Sequence, residues 1–196
     1  MGSAPGSRRS AWVVATPSRS RSSGSDATPD PAHRPTLAPA FAAEPLWLAG
    51  TRQDGHPVAP GEIGGWRLVY FGYTRCPDLC PTALMTVTQA LDDLPPALLS
   101  QLVPVMVAAD PEHDGPAVLA RYLDTFHPAI VAVTGPVATI DGLAAAYAAP
   151  IRRHDGTVDH PSDLFLVGPA GDLLGRLPYT VAPEALAAAL RAALAR

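Results

Sequence analysis

The feature that most constrains the fold is an apolar run ending in a turn that carries both cysteines of the chain. The run RLVYFGY covers residues 67–73, and Cys76 and Cys80 follow within RCPDLCP. A continuous apolar run of this length predicts a strand buried on both of its faces. The next segment, TALMTVTQALDDL at residues 82–94, repeats its apolar residues at helical spacing. The sequence therefore predicts a central strand whose end delivers the cysteines to the start of a helix.

The rest of the chain continues this alternation of strands and helices. The predicted elements that follow are strand 101–110, helix 116–126, strand 129–135, helix 139–149, a β-hairpin over 163–179 and helix 182–196. Asp54-Gly55 predicts an additional N-terminal hairpin. Alternation of this kind predicts an α/β fold with helices on both faces of a central sheet, and the last hairpin makes that sheet mixed. The order strand, cysteine turn, helix is typical of a thioredoxin-like three-layer sandwich.

Residues 1–40 differ in composition from the rest of the chain. They are rich in Ser, Pro, Arg, Gly and Ala without periodicity, which predicts a disordered leader or linker before a folded domain over 41–196. The apolar run Ala11–Ala15 has five residues, fewer than the roughly 7–15 of a signal-peptide core. The Arg and Ser content is more typical of a transit peptide. We expect no clear export signal or membrane segment, and the net charge of −4 does not support a nucleic-acid partner.

The cysteine pair has four interpretations: a disulfide, a redox pair, a metal site or two buried core thiols. A bridge between Cys76 and Cys80 would close a very short loop and stabilise the fold little, which favours a chemical role. Pro81 suits the first position of a helix, so we expect the helix to begin at about that residue. Cys80 would then lie near a helix N-terminus and close to Arg75, and both features favour its thiolate.

A metal site would need a further ligand beyond the two sulfurs. The four-residue spacing lets both sulfurs face one side of a turn, and two thiolates favour Cu(I) or Zn(II). The histidines of the chain are His33, His56, His113, His127, His154 and His160. His160 precedes the strand DLFLVG, which in this topology lies beside the cysteine-bearing strand, so it is the candidate ligand. The competing interpretation is a histidine in a surface loop.

Four motifs of the chain resemble, in order and spacing, those of the Sco/SenC family. They are FGYTRCPDLCP at 71–81, AADPEHDGPAVLARYLDTF at 108–126, AVTG at 132–135 and VDHPSDLFLVGPAG at 158–171. The resemblance implies a thioredoxin-like domain that binds one copper ion, as Cu(I), Cu(II) or both, through Cys76, Cys80 and His160. It also implies a role in assembling the dinuclear copper centre of cytochrome c oxidase subunit II, as copper donor, thiol reductant or both.

The resemblance extends to four carboxylates. Asp78 and Asp159 match acidic residues beside the ligands, and Asp110 and Asp114 match those of the second motif. We expect them to lie in the outer shell of the site or to face a partner. An outer-shell carboxylate can orient His160 by accepting its second N–H.

The chain departs from the family pattern in three respects. The family usually has a membrane anchor or export signal before the domain, and we recognise none in this sequence, although the resemblance implies an extracytoplasmic, periplasmic or inner-membrane-associated location. Thr157 stands where an aromatic residue is common. Pro161 and Asp163 replace a small polar and an apolar residue, which predicts either a shifted histidine loop or a looser strand after it. We expect the protein to be a monomer.

Two main functions follow from these residues. The first is a non-enzymatic copper chaperone that uses both thiolates and the imidazole. The second is a thiol–disulfide oxidoreductase in which Cys76, which we expect to be the more exposed thiolate, attacks a disulfide and Cys80 resolves the mixed intermediate. Peroxide reduction is a weaker third reading, because the cysteines lie too close for a distant resolving thiol. The discriminating residue is His160, which copper binding needs and thiol exchange does not.

Overall fold

The computed structural model describes residues 45–154 and 157–195, all within one compact unit. The predicted leader over 1–40, with His33, lies outside the described residues, so its boundary stays a prediction. The elements are β1 (Gly50–Arg52), β2 (Pro57–Val58), β3 (Trp66–Gly72), α1 (Leu79–Asp92), α2 (Pro96–Leu99), β4 (Leu102–Ala108), α3 (Pro116–Leu123), β5 (Val131–Thr134), α4 (Val137–Ala146), β6 (Arg152–His154), β7 (Thr157–Asp159), β8 (Leu164–Val167), β9 (Leu173–Leu177) and α5 (Pro183–Leu194).

The cysteine-bearing strand β3 lies inside a seven-stranded mixed sheet with the order β2-β1-β5-β4-β3-β8-β9. β3 pairs in parallel with β4, and β4 pairs in parallel with β5. On its other side β3 pairs antiparallel with β8, so that Tyr70 is opposite Leu164. The predicted mixed sheet and the predicted neighbourhood of β3 and β8 are therefore confirmed. Because His160 precedes β8, this pairing brings the histidine segment to the cysteine end of β3.

Two apolar clusters cover the two faces of the sheet. Successive residues of β3 point to opposite faces. Leu68 and Tyr70 join a cluster with α1, α3 and α5, whereas Val69 and Phe71 join one with α4 and the segment before β1. On α1 the buried stripe consists of Cys80, Ala83, Leu84, Val87, Ala90 and Leu91. Burying each large aliphatic side chain contributes about 1.5–3 kcal/mol. The predicted three-layer sandwich is confirmed, and Cys80 forms part of its core.

Three local features differ from the sequence prediction. α1 begins at Leu79, not at Pro81. Pro81 is tolerated inside the first turn because the first four N–H groups of a helix have no intrahelical acceptor. The short helix α2 and the β6–β7 hairpin are additional, and both are too short and too exposed to show periodicity. Over residues 45–154 and 157–195, no helix has the length and apolarity needed to span a membrane.

Candidate metal centre

The two cysteines meet where β3 ends and α1 begins. The Cys76 N–H donates to the Tyr73 carbonyl at 3.3 Å, which closes the turn after the strand. Cys80 is the second residue of α1, and its backbone N–H points at the Cys76 sulfur, with N and Sγ 3.4 Å apart. Both residues are free thiols. The turn thus holds the Cys76 sulfur over the unpaired amides of the first helical turn.

The environments of the two thiols differ in burial and in hydrogen bonding. Cys76 is half-buried: burial raises its pKa, but the N–H groups of Cys80 and Asp78 outweigh this, and the net pKa lies below the usual thiol value. Cys80 is fully buried, and burial raises its pKa to about 12. The prediction that the helix start favours a thiolate at Cys80 is therefore wrong, because the first-turn amides face Cys76. The prediction that Cys76 is the more exposed thiol is confirmed.

This asymmetry predicts that iodoacetamide alkylates Cys76 at least about 30-fold faster than Cys80 near pH 8. The lower pKa gives Cys76 a far larger thiolate fraction, which its lower intrinsic nucleophilicity offsets only in part. Burial of Cys80 slows its reaction further. The rates are measured by mass spectrometry on the Cys76→Ser and Cys80→Ser variants, each of which carries a single thiol. Equal rates in the two variants would contradict the difference in environment.

His160 lies in the segment between β7 and β8 and contacts Cys80. Its Nε2 is 3.7 Å from the Cys80 sulfur, and its Nδ1 is 3.0 Å from the Pro161 carbonyl oxygen. Because a carbonyl only accepts, Nδ1 carries the proton and the Nε2 lone pair faces the sulfur. Burial lowers the pKa of His160, although the Pro161 carbonyl and Asp159 oppose the shift. The imidazole is therefore neutral at pH 7, which is the form that binds metals.

The group that orients His160 differs from the prediction. A backbone carbonyl, that of Pro161, accepts its second N–H in place of the predicted carboxylate. The rings of Tyr70 and Tyr73 stand nearly perpendicular to the imidazole, with centroids 6.1 and 5.8 Å away. Such edge contacts and the hydrogen bond together define the ring orientation. Pro161, a departure from the family pattern, thus supplies the contact that fixes the histidine tautomer.

The pair formed by Cys80 and His160 fits a soft metal ion. A sulfur about 2.3 Å and a nitrogen about 2.0–2.1 Å from a tetrahedral metal lie roughly 3.6 Å apart, close to the observed 3.7 Å. Across the described part of the chain, no group of three cysteine, histidine or acidic side chains is already arranged to hold a metal ion. Cys80 and His160 are therefore a preformed pair, and the half-buried Cys76, whose thiol interacts with that of Cys80, lies beside it.

Two of the predicted carboxylates are buried and anchor the loops around the turn. Asp114 accepts from the Thr74 N–H at 3.0 Å and from the Thr74 hydroxyl at 2.6 Å. Asp110 is 2.7 Å from an Arg75 guanidinium nitrogen and 3.0 Å from His113. Burial raises the pKa of Asp114. Burial alone would also raise that of Asp110, but hydrogen bonds from His113 and Arg75 lower it.

The other two predicted carboxylates are exposed. Asp78 occupies the N-cap position of α1 without a side-chain capping bond. Asp159 is 3.7 Å from His154. In the described residues, none of the hydrogen bonds of the four carboxylates goes to a cysteine sulfur or to the His160 ring. Their outer-shell roles stay predictions. The observed contacts show that Asp110 binds Arg75 and that Asp114 binds Thr74.

The aromatic surroundings of the sulfur were not predicted from the sequence. Tyr70 is buried against Cys80, and Tyr73 stands beside His160. The available signal was a tyrosine inside the apolar strand run, two positions before Gly72 and hence on the same face of β3. The remaining histidines lie apart: His56 is exposed in the first hairpin, and His127 accepts from the Ala129 N–H.

Comparisons with known proteins converge on one family. A family model described as SCO1/SenC matches residues 49–195. Human "Protein SCO1 homolog, mitochondrial" is 35% identical over 119 residues, which cover 57% of this chain and 40% of that protein. The match thus spans less than half of the length of that relative.

Two solved structures with copper bound are similar in fold. Bradyrhizobium japonicum ScoI with copper bound has 29% identity and a TM-score of 0.68, covering 76% of this chain and 99% of the other. Arabidopsis thaliana ScoI with copper bound has 25% identity and a TM-score of 0.67, covering 77% and 99%. The predicted thioredoxin-like α/β fold of the SCO1/SenC type is confirmed by these neighbours.

Proposed function

The chain belongs to the SCO1/SenC family, and from this premise we propose that it binds one copper ion through Cys76, Cys80 and His160 and passes it to a target protein. The target implied by the family resemblance is cytochrome c oxidase subunit II, or another copper-receiving protein. The same resemblance implies an extracytoplasmic site of action, and the human relative is named as mitochondrial. We propose a monomer as the acting form.

The observation that carries this proposal is the contact between the His160 Nε2 and the Cys80 sulfur at 3.7 Å. The Nδ1 proton is held by the Pro161 carbonyl, so the free lone pair is directed at the sulfur. Thiol–disulfide exchange can proceed through the two sulfurs alone, whereas a soft metal ion needs a further donor such as this imidazole. Two thiolates and one imidazole form a soft donor set that suits Cu(I). The copper-bound structures of the Bradyrhizobium and Arabidopsis proteins support copper as the metal.

The exposure of the three donors suggests how copper moves. Cys80 is fully buried and His160 is more enclosed than the half-buried Cys76, so Cys80 and His160 would hold the ion in place. A cysteine of the target can therefore displace Cys76 first, in a ligand exchange that starts at the surface. Copper binding releases the thiol protons, so the affinity falls as the pH falls.

The proposal is tested by titrating the reduced full-length chain with Cu(I) against a competing chelator. We expect one copper per chain, because a single set of two sulfurs and one imidazole is available. The matched control is the same protein after oxidation to the Cys76–Cys80 disulfide, which removes both thiolates and leaves His160 unchanged. Copper binding of equal affinity by the oxidised protein would rule out the proposed ligand set.

The asymmetry of the thiols supports a second candidate function, reduction of a disulfide in the target. The Cys76 thiolate attacks one sulfur of that disulfide, forms a mixed disulfide and releases the other sulfur as a thiolate. Cys80 then attacks the Cys76 sulfur, forms the Cys76–Cys80 disulfide and transfers its proton to the second target sulfur, which leaves as a thiol. Two electrons pass to the target, and the exposed, lower-pKa thiol attacks first.

A further inference from the structure

A buried tyrosine hydroxyl that makes no well-formed hydrogen bond lies beside the Cys80 sulfur. Within the described residues, the hydroxyls of Tyr70, Tyr122 and Tyr147 are buried and unpaired. Burying a hydroxyl without a partner destabilises a fold, so each of these groups needs an explanation. Tyr70 is the one whose hydroxyl adjoins a proposed ligand.

The position of Tyr70 follows from the geometry of β3. Tyr70 and Gly72 lie on the same face of the strand, since they are two residues apart. A Cβ atom at Gly72 would be 2.6 Å from Cε1 of Tyr70 and 3.4 Å from the Cys80 sulfur. The ring edge of Tyr70 and the sulfur therefore occupy the space that glycine leaves free. The Tyr70 ring also stands edge-on to His160, with centroids 6.1 Å apart.

The hydroxyl of Tyr70 can donate a hydrogen bond, but the sulfur atom beside it is a poor acceptor in the metal-free protein. A tyrosine hydroxyl has one proton to donate, and the Tyr70 side chain lies within interaction distance of the Cys80 sulfur. An uncharged thiol sulfur is a weak acceptor. A thiolate is a much stronger one, because hydrogen bonds to charged acceptors are roughly twice as strong as neutral ones.

We propose that Tyr70 is a positioning residue of the copper site, whose hydroxyl donates a hydrogen bond to the Cys80 sulfur once that sulfur binds copper as a thiolate. The inference rests on the proposed function. The hydroxyl then exchanges a weak acceptor for a charged one in the loaded protein. A donor to a metal-bound sulfur withdraws charge from it, which tunes both the affinity of the site and the Cu(II)/Cu(I) potential.

The test compares Tyr70→Phe with Tyr147→Phe, because the chain offers a matched control. The hydroxyl of Tyr147 is equally buried and unpaired, but it lies in the cluster on the other face of the sheet, against Phe71 and Phe165. For Tyr70→Phe we expect Cu(I) affinity to fall about 10-fold. The sulfur-to-Cu(II) charge-transfer band should move to longer wavelength, since the sulfur keeps more of its charge. Tyr147→Phe should change neither quantity.

The melting temperature of the metal-free protein separates this role from a structural one. Each substitution removes an unpaired buried hydroxyl and keeps the ring, so both variants should melt at or above the wild-type temperature without copper. A melting temperature that falls together with the affinity in Tyr70→Phe alone would assign the tyrosine to packing and overturn the proposal. Equal losses of affinity in both variants would overturn it as well.

The remaining outcomes distinguish the inference from the proposed function. A wild-type chain that binds one Cu(I), with a Tyr70→Phe variant of the same affinity and the same charge-transfer band, overturns the role of Tyr70 and leaves the copper site intact. A wild-type chain that binds no copper overturns the proposed function and this role together. Weaker binding and a shifted band in Tyr70→Phe, with Tyr147→Phe unchanged, support both.

Discussion

Replacement of His160 by alanine is expected to weaken Cu(I) binding more than about 100-fold while leaving thiol–disulfide exchange in place. Loss of a partner that only orients a metal ligand typically costs 10–100-fold in affinity, so loss of a ligand should cost at least the upper end of that range. The 3.7 Å contact of Nε2 with the Cys80 sulfur puts the imidazole within reach of an ion bound to that sulfur. Thiol exchange depends on Cys76 and Cys80 alone.

This prediction is measured by competition with a Cu(I) chelator, and by the rate at which each protein reduces a small disulfide. The matched control is His56→Ala, which removes an exposed histidine from the first hairpin. Cys76→Ser and Cys80→Ser should each lose both copper binding and disulfide reduction. Wild-type copper affinity in His160→Ala would instead favour the oxidoreductase function.

The sheet around the cysteine turn could be predicted because its central strands are continuous runs of apolar residues. β3 and β4 are covered on both faces, so nearly every residue in them is buried and no alternation is needed to recognise them. The thioredoxin-like order of strands and helices then predicts that β8 lies beside β3. The contact between His160 and Cys80, which spans 80 positions of sequence, follows from this one pairing.

The division of roles between the two cysteines could not be read from the sequence. Spacing alone brings both to a helix start, where either sulfur can receive the N–H groups. The outcome depends on α1 beginning at Leu79, which puts Cys80 on the buried stripe with Ala83, Leu84 and Val87 at i+3, i+4 and i+7. Burial is a tertiary property, and it reverses the expected order of the thiol pKa values.

The orientation of the His160 ring could not be predicted from the sequence for a similar reason. The motif supplies Asp159 next to His160, which made a carboxylate partner the natural expectation. Asp159 instead belongs to the short hairpin β6–β7, where it points toward His154 at 3.7 Å. That hairpin is too short for an alternation of apolar and polar residues to be recognised. The direction of the Asp159 side chain could therefore not be predicted from the sequence. The Pro161 carbonyl is left as the acceptor of the ring N–H.

Replacement of Asp114 by alanine is expected to lower the free energy of unfolding by about 3 kcal/mol. The carboxylate is fully buried and accepts both the N–H and the hydroxyl of Thr74, two residues before Cys76. Alanine leaves two donors without an acceptor, at about 1–3 kcal/mol each. Because Thr74 starts the cysteine turn, copper affinity should also fall, although less than in His160→Ala. Denaturant unfolding of the metal-free protein measures the loss.

Two further variants separate the contributions to this loss. Thr74→Val removes the hydroxyl and keeps the backbone bond, so it should cost only about 1 kcal/mol.

Asp114→Asn keeps an acceptor for the Thr74 N–H and cannot titrate. Since burial raises the pKa of Asp114, the folded wild type loses stability as the pH rises from the unfolded value of about 3.9 through the raised folded value. The advantage of the wild type over Asp114→Asn should therefore narrow as the pH rises through that window. A cost below about 0.5 kcal/mol in Asp114→Ala would mean that water replaces the carboxylate and that Asp114 does not hold the turn.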